Sequence, residues 1–190
     1  MDGRFVRSKL FFITGGVRSG KSRYAEELVE SFGGEVAYVA TLEPGDEEME
    51  RRIERHKAHR PPGWRTVEAT LDVVGAVAAL EEPVVLLDCL SGWISNMLLT
   101  HEQNGEEAIL DVVLGAIEEL LAVVRASEKT VVVVTNEVGS GVVPAYPLGR
   151  WYRDALGLAN QRVAAEADAV CLMVAGLPLV LKGSFPEVFH

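Results

Sequence analysis

The sequence predicts an α/β fold, a mostly parallel sheet of the P-loop NTPase type with helices on both faces, and three observations predict it. Short aliphatic runs alternate with helical patterns along the whole chain. Most of those runs are apolar at every position, as strands covered on both faces must be. The first run leads directly into Gly15-Gly16-Val17-Arg18-Ser19-Gly20-Lys21-Ser22, the spacing G-x-x-x-x-G-K-[ST] that joins a strand to a helix through a phosphate-binding loop.

The elements follow in order. Residues 10–14 form the first predicted strand, and residues 21–32, with apolar side chains three and four apart, the helix that leaves the loop. A second strand is predicted at 36–40 and a highly charged helix at 46–59, stopped by Pro61-Pro62. Residues 63–68 suit a further short strand. Helical spacing returns at 72–80, and 84–87 is a strand of four aliphatics running into Asp88. Helices are expected around 93–100 and over 106–127, a strand at 131–135, a helix at 148–167 and a strand at 169–174. Ala175-Gly176-Leu177-Pro178 reads as a turn that returns residues 179–182 as an antiparallel edge. Ligands of such sheets bind at the carboxyl ends of the strands.

The 190 residues, 48% hydrophobic, suffice for one core, and no linker or repeat divides them, so residues 1–190 are expected to form a single domain with 1–8 and 184–190 loosely held. No apolar run is long enough to span a bilayer and the first ten residues lack a secretion signal, which points to the cytoplasm. Cys89 and Cys171 lie far apart in apolar surroundings without metal-ligand spacing, as buried thiols in a reducing compartment would. The net charge of −10 argues against nonspecific binding to nucleic acid or an anionic membrane. An anionic substrate therefore needs a local patch of positive charge, and the densest is Arg51, Arg52, Arg55, Lys57 and Arg60.

The glycine loop carries the plainest chemistry. Its backbone N–H groups can turn inward around polyphosphate oxygens, Lys21 can reach the outer phosphates, and Ser22 can hold Mg²⁺. Asp88, at the end of an aliphatic strand, stands where a carboxylate steadies Mg²⁺ in proteins with such a loop; the plain alternative is a strand-end acid that caps the next helix. Asn136-Glu137-Val138-Gly139 reaches the same sheet edge, either to meet substrate or to form a turn.

On the charged helix, Met49, Ile53 and His56 share one face, so His56 points where the apolar side chains point, flanked by Arg52 and Arg60. Positive neighbours disfavour the imidazolium, and the neutral ring is the nucleophilic form. The plain alternative is a structural histidine on a solvated helix whose Glu47–Arg51 and Glu48–Arg52 pairs consume part of the charge.

Taken together, the 14–22 loop, Val39-Ala40-Thr41, the 48–61 segment with Trp64-Arg65-Thr66-Val67-Glu68, the 135–144 stretch and Asn160-Gln161-Arg162-Val163-Ala164 resemble the bifunctional adenosylcobinamide kinase/adenosylcobinamide-phosphate guanylyltransferase family of cobalamin biosynthesis. The loop is shared with many NTPases; the Arg-Ile-x-x-His-x-x-x-Arg-Pro pattern with Asn-Glu-Val-Gly is far more specific. The resemblance implies two reactions. ATP or GTP phosphorylates the aminopropanol hydroxyl of adenosylcobinamide, and GTP then donates GMP to that phosphate through a histidine-bound GMP, releasing pyrophosphate. The matching histidine is His56, with Lys21 and Asp88 as the other catalytic candidates. Nucleotide contacts are implied at Gly15, Gly16, Val17, Arg18, Ser19, Gly20, Lys21 and Ser22, at Ala40, Thr41 and Leu42, at Lys57, Ala58, His59 and Arg60, and at Glu68 and Asp88. Ser22 and Asp88 are the metal candidates. Asp88 stands where some relatives have glutamate, which shortens the carboxylate's reach. A homotrimer is implied as well.

Two other functions share the loop. A plain small-molecule kinase would explain everything except the placement of His56. A nucleotide-dependent switch is disfavoured because the chain has no Asn-Lys-x-Asp guanine-reading motif and no obvious effector segment.

Overall fold

Alternate residues of the first strand enter two different cores. In β1 (Lys9–Gly15), Phe11 and Ile13 join one buried apolar layer while Leu10 and Phe12 join the other. This is why the run is apolar at successive positions: both faces of the sheet are covered. The computed structural model describes residues 9–43, 61 and 63–186, so the helix predicted at 46–59, with His56 and the basic cluster, and residues 1–8 lie outside the described residues.

After β1 come α1 (Lys21–Phe32), β2 (Val36–Ala40), β3 (Arg65–Glu68), α2 (Val73–Ala79), β4 (Val84–Asp88), α3 (Leu90–His101), α4 (Glu106–Ala126), β5 (Thr130–Val134), α5 (Pro147–Glu166), β6 (Ala169–Val174) and β7 (Leu177–Lys182). They build a seven-stranded sheet of order β3-β2-β4-β5-β1-β6-β7, in which only the β6–β7 pair is antiparallel. The short strand suspected at 63–68 is β3, at one edge.

Among the described residues, α1 alone covers one face, packing Tyr24, Ala25, Leu28 and Val29 against Ile13, Leu86, Val132 and Val134. The other face is covered by α2 to α5, whose Val77, Trp93, Ile117 and Leu156 meet Phe12, Val85, Leu87 and Val133. Each fully buried side chain of this size stabilises the fold by roughly 1.5–3 kcal/mol. Helix ends are set locally: Asp72 accepts the Gly75 N–H at 2.9 Å to start α2, and Pro147 occupies the first turn of α5. No helix among the described residues is long and apolar enough to cross a membrane.

Two details at the carboxyl-terminal end differ from the sequence expectation. Strand β7 begins at Leu177, because Ala175 (φ 53°) and Gly176 (φ 83°) alone complete a tight turn with positive φ at both positions. Beyond β7, the segment expected to be loose is held at Phe185, whose ring lies 5.4 Å from Phe11 and 6.2 Å from Tyr24. Both cysteines are buried and unbridged, as expected, and burial raises both thiol pKa values, that of Cys171 to about 11.

Candidate active site

The strand register lines up the candidate residues along one edge. Glu68 pairs with Ala40, Ala40 with Asp88, Asp88 with Val134 and Val134 with Ile13, so five neighbouring strands present these residues in one transverse row. Gly15 follows Ile13 by two residues and opens the glycine loop. One strand, β5, separates the strands that carry the loop and Asp88, which sets their axes about 10 Å apart. Ile13 and Val134 lie in the core layer under α1, and Ala40 packs against it, so the row faces the helix whose first two residues are Lys21 and Ser22.

The loop is tied by its carbonyls. Gly15 O accepts the Glu137 N–H at 3.0 Å, and Ser19 O accepts the Gly176 N–H at 3.0 Å. Gly16 O accepts the Ser19 N–H at 3.3 Å and the Lys21 ammonium at 2.9 Å. Lys21 is only 8% exposed, so its cation is held inside the loop. Gly20, with φ 93°, precedes α1; a Cβ there would be strained and would come within 3.2 Å of the Gly176 Cα. Ser19 Oγ is buried and has no hydrogen-bond partner among the described residues, an orphan that suits a ligand oxygen. Val17 and Arg18 are exposed at the tip, and Ser22 is half-buried in the first turn of α1.

Asp88 is half-buried, and its Oδ2 accepts the Tyr38 hydroxyl at 2.8 Å. The residues around it are locked. Thr41, fully buried, donates its hydroxyl to Cys89 O at 2.7 Å and accepts the Cys89 N–H at 3.0 Å. Asn96 on α3 donates to both Thr41 O and Thr70 O. The Thr41 side chain therefore fixes the backbone at Cys89, directly after Asp88, while half-buried Ala40 and Leu42 border the edge. Glu68 is exposed at the end of the row. His56, Lys57, Ala58, His59 and Arg60 lie outside the described residues.

Asn136 and Glu137 form a turn held by their own side chains. Glu137 Oε1 accepts the N–H groups of Gly139 and Ser140, and Asn136 donates to Ser91 Oγ at 2.9 Å. Asn160 on α5 accepts from Thr135 and donates to Asn136 O, and Tyr152 donates to Ser91 O. Burial pushes the Tyr152 phenol up to about 12, so at neutral pH it serves as a donor. Sequence reasoning missed Tyr38 and Gly176 as supports of the site, because both act across the sheet or between loops far apart in the chain.

Compared with known proteins, the chain shares its fold with the RadB recombinase, with a TM-score of 0.54 at 15% identity, covering 96% of this chain and 85% of that one. An ATPase of a bacterial type III secretion system gives a TM-score of 0.52 at 11% identity, over 87% of this chain and 52% of that one. These likenesses concern the fold alone, which is of the P-loop NTPase type. The chain is 40% identical to the bifunctional adenosylcobalamin biosynthesis protein CobP of Pseudomonas aeruginosa, over 90% of this chain and 96% of the relative. It is 38% identical to the bifunctional adenosylcobalamin biosynthesis protein CobU of Escherichia coli, over 91% of this chain and 99% of that protein. Residues 11–181 match the family model described as cobinamide kinase / cobinamide phosphate guanyltransferase, and the chain belongs to that family.

Proposed function

We propose that this chain catalyses two successive steps of adenosylcobalamin assembly: phosphorylation of adenosylcobinamide by ATP or GTP, then transfer of GMP from GTP to the resulting phosphate. The observation that carries this reading is the family match over residues 11–181, which includes the glycine loop and Asp88. In the first step the substrate hydroxyl attacks the γ-phosphorus and gives up its proton to Asp88 or to solvent, the bond to the β-phosphate oxygen breaks, and the nucleoside diphosphate leaves. Such transfers depend on positioning and charge neutralisation. Lys21 and the amides of residues 15–22 supply both, and Asp88 aids the metal or the acceptor hydroxyl.

In the second step an uncharged His56 attacks the α-phosphorus of GTP, a P–N bond forms and pyrophosphate departs. An oxygen of the cobinamide phosphate then attacks the same phosphorus and the P–N bond breaks, giving adenosylcobinamide-GDP and freeing the imidazole. Lys57, Ala58, His59, Arg60, Ala40, Thr41, Leu42 and Glu68 complete the nucleotide site in this reading.

The donor set suits Mg²⁺. Ser22, in the first turn of α1, offers a hydroxyl and Asp88, at the end of β4, a carboxylate, and Mg²⁺ characteristically takes one or two protein oxygens together with substrate phosphates and water. Among the described residues no cluster of three or more His, Cys, Asp or Glu side chains offers a closed metal cage. When bound, the ion neutralises phosphate charge and lowers the barrier to departure of the leaving group. Family membership also supports a homotrimer in the cytoplasm, with part of each site at a subunit boundary.

The test is chemical. Incubation with GTP labelled at the α-phosphate should leave an acid-labile, base-stable label, and mass spectrometry should locate the GMP on His56. His56→Ala should abolish labelling and spare phosphorylation of cobinamide. Phosphorylation without any labelling of the wild type would leave a plain kinase; loss of both activities in a folded variant would give His56 another task.

A further inference from the structure

We propose that Gly176, in the turn between β6 and β7, is a positioning residue for the nucleotide: its N–H holds the Ser19 carbonyl and thereby aims the Gly20 amide into the phosphate cradle. This deepens the nucleotide-binding part of the function proposed above and rests on it. In a trans peptide the carbonyl and the following N–H point in opposite directions, so whatever anchors one aims the other.

Among the anchored carbonyls of the loop, three are held from different directions. The Glu137 N–H takes Gly15 O, the Lys21 ammonium takes Gly16 O, and the Gly176 N–H takes Ser19 O at 3.0 Å. The first two come from the loop after β5 and from the glycine loop itself. The third comes from outside both, from the turn that joins β6, the neighbour of β1, to the edge strand β7. Gly20, the residue whose N–H this bond orients, immediately precedes Lys21 and Ser22, so it stands where the loop amides converge on the helix start.

The two segments approach closely on the Gly20 side, and at Gly176 it is the backbone conformation that favours glycine. A Cβ at Gly20 would stand 3.2 Å from the Gly176 Cα, and Gly176 itself has φ 83°. A Cβ at Gly15 would come within 2.7 Å of Met173 O on the same hairpin. The hairpin thus backs the loop at its beginning and its end. In a two-residue turn the N–H of the second central residue has no partner within the turn; at Gly176 it is taken by the glycine loop rather than left to water.

An amide-to-ester replacement at residue 176 removes that donor and little else. Cys171 offers a native ligation junction, so residues 171–190 carrying glycolate in place of Gly176 can be synthesised, joined to 1–170 and refolded beside an all-amide control. The expected result is a Kd for MgATP and MgGTP raised about tenfold, with an unchanged melting temperature in the absence of nucleotide. An unchanged Kd overturns the proposal, as does a weakened Kd that merely tracks a lowered melting temperature. Should the ester protein not refold, amide exchange in the ¹⁵N-labelled wild type decides: protection of the Gly176 N–H that rises with MgGTP supports the proposal, and exchange at the unprotected rate with and without nucleotide overturns it. If the wild type binds neither nucleotide, the nucleotide-binding reading itself fails, which is a separate outcome.

Discussion

The hydroxyl of Tyr38, in the middle of β2, donates to Oδ2 of Asp88, the last residue of the neighbouring strand β4, at 2.8 Å. The two lie on adjacent strands whose register pairs Tyr38 with Leu86 and Ala40 with Asp88, so the ring reaches forward along the sheet to the carboxylate. One oxygen of Asp88 is thereby oriented by a neutral donor, and the carboxylate's rotation is restricted.

Tyr38→Phe should therefore lower kcat for phosphoryl transfer about tenfold, the scale of one hydrogen bond to a charged group. The melting temperature should change little, because the ring is buried and stacks 6.4 Å from Trp64 without needing its hydroxyl. Steady-state kinetics with cobinamide as acceptor checks this. Undiminished turnover would mean that Asp88 needs no such guide.

Lys21 is held in the loop by Gly16 O, poised at the start of α1. Its replacement by Met keeps most of the buried aliphatic stem and deletes the charge. Turnover in both nucleotide-dependent reactions should fall by at least about a hundredfold, the usual consequence of removing one preorganised donor. Thermal melting should show a folded protein, and titration with MgGTP should show weakened binding. Full activity in Lys21→Met would remove the glycine loop from the mechanism.

Much of this architecture is legible in the residues alone, and the limits of that legibility are physical. The α1 boundaries, 21–32, follow from the glycine loop before them and the Gly33-Gly34 pair after them. The continuous runs announced buried parallel strands. Strand order did not follow, because it depends on contacts between residues far apart in the chain; hence the Tyr38–Asp88 bond, which requires β2 beside β4, was invisible. Gly176 read as a turn residue, which it is, and nothing local marks a glycine whose N–H also serves a second loop. Thr41 illustrates another limit. A threonine beside a phosphate site and one that locks the backbone have the same sequence appearance, and only its burial with both bonds to Cys89 reveals the locking role.

That role makes a stability prediction. Thr41→Val preserves shape but strips the buried Cys89 N–H and C=O of their side-chain partner, at a cost of about 1–3 kcal/mol. For a domain of this size each kcal/mol lowers the melting temperature by roughly 2–4 °C. Thr41→Ser, which restores the hydroxyl, should recover most of the loss. Because Cys89 follows Asp88 directly, kcat should fall with Thr41→Val and return with Thr41→Ser. Equal melting temperatures for all three proteins would show that the lock contributes nothing.

Away from the site, α4 and α5 are joined by charge. Arg162 bonds both oxygens of Glu118 and one of Glu166, and Glu166 also accepts from Arg125 at 2.9 Å. The hydrogen bonds from Arg162 hold both carboxyls below the ordinary value of 4.5, with Arg125 adding to the effect at Glu166. Folded pKa values below the unfolded ones mean that the folded state binds fewer protons, so stability rises with pH across this interval. The contribution is complete above the unfolded pKa and is lost as pH falls through the depressed folded values. These groups are at the surface, where salt screens them, so the effect should shrink in high salt. Comparing urea midpoints of the wild type and Arg162→Gln checks this. The gap between them should be present at about pH 7, close as the pH falls below about 4.5, and narrow in about 1 M salt. A gap that persists unchanged at low pH would assign the role of Arg162 to the packing of its aliphatic stem, since only the ionic part of the interaction depends on the carboxylates remaining charged.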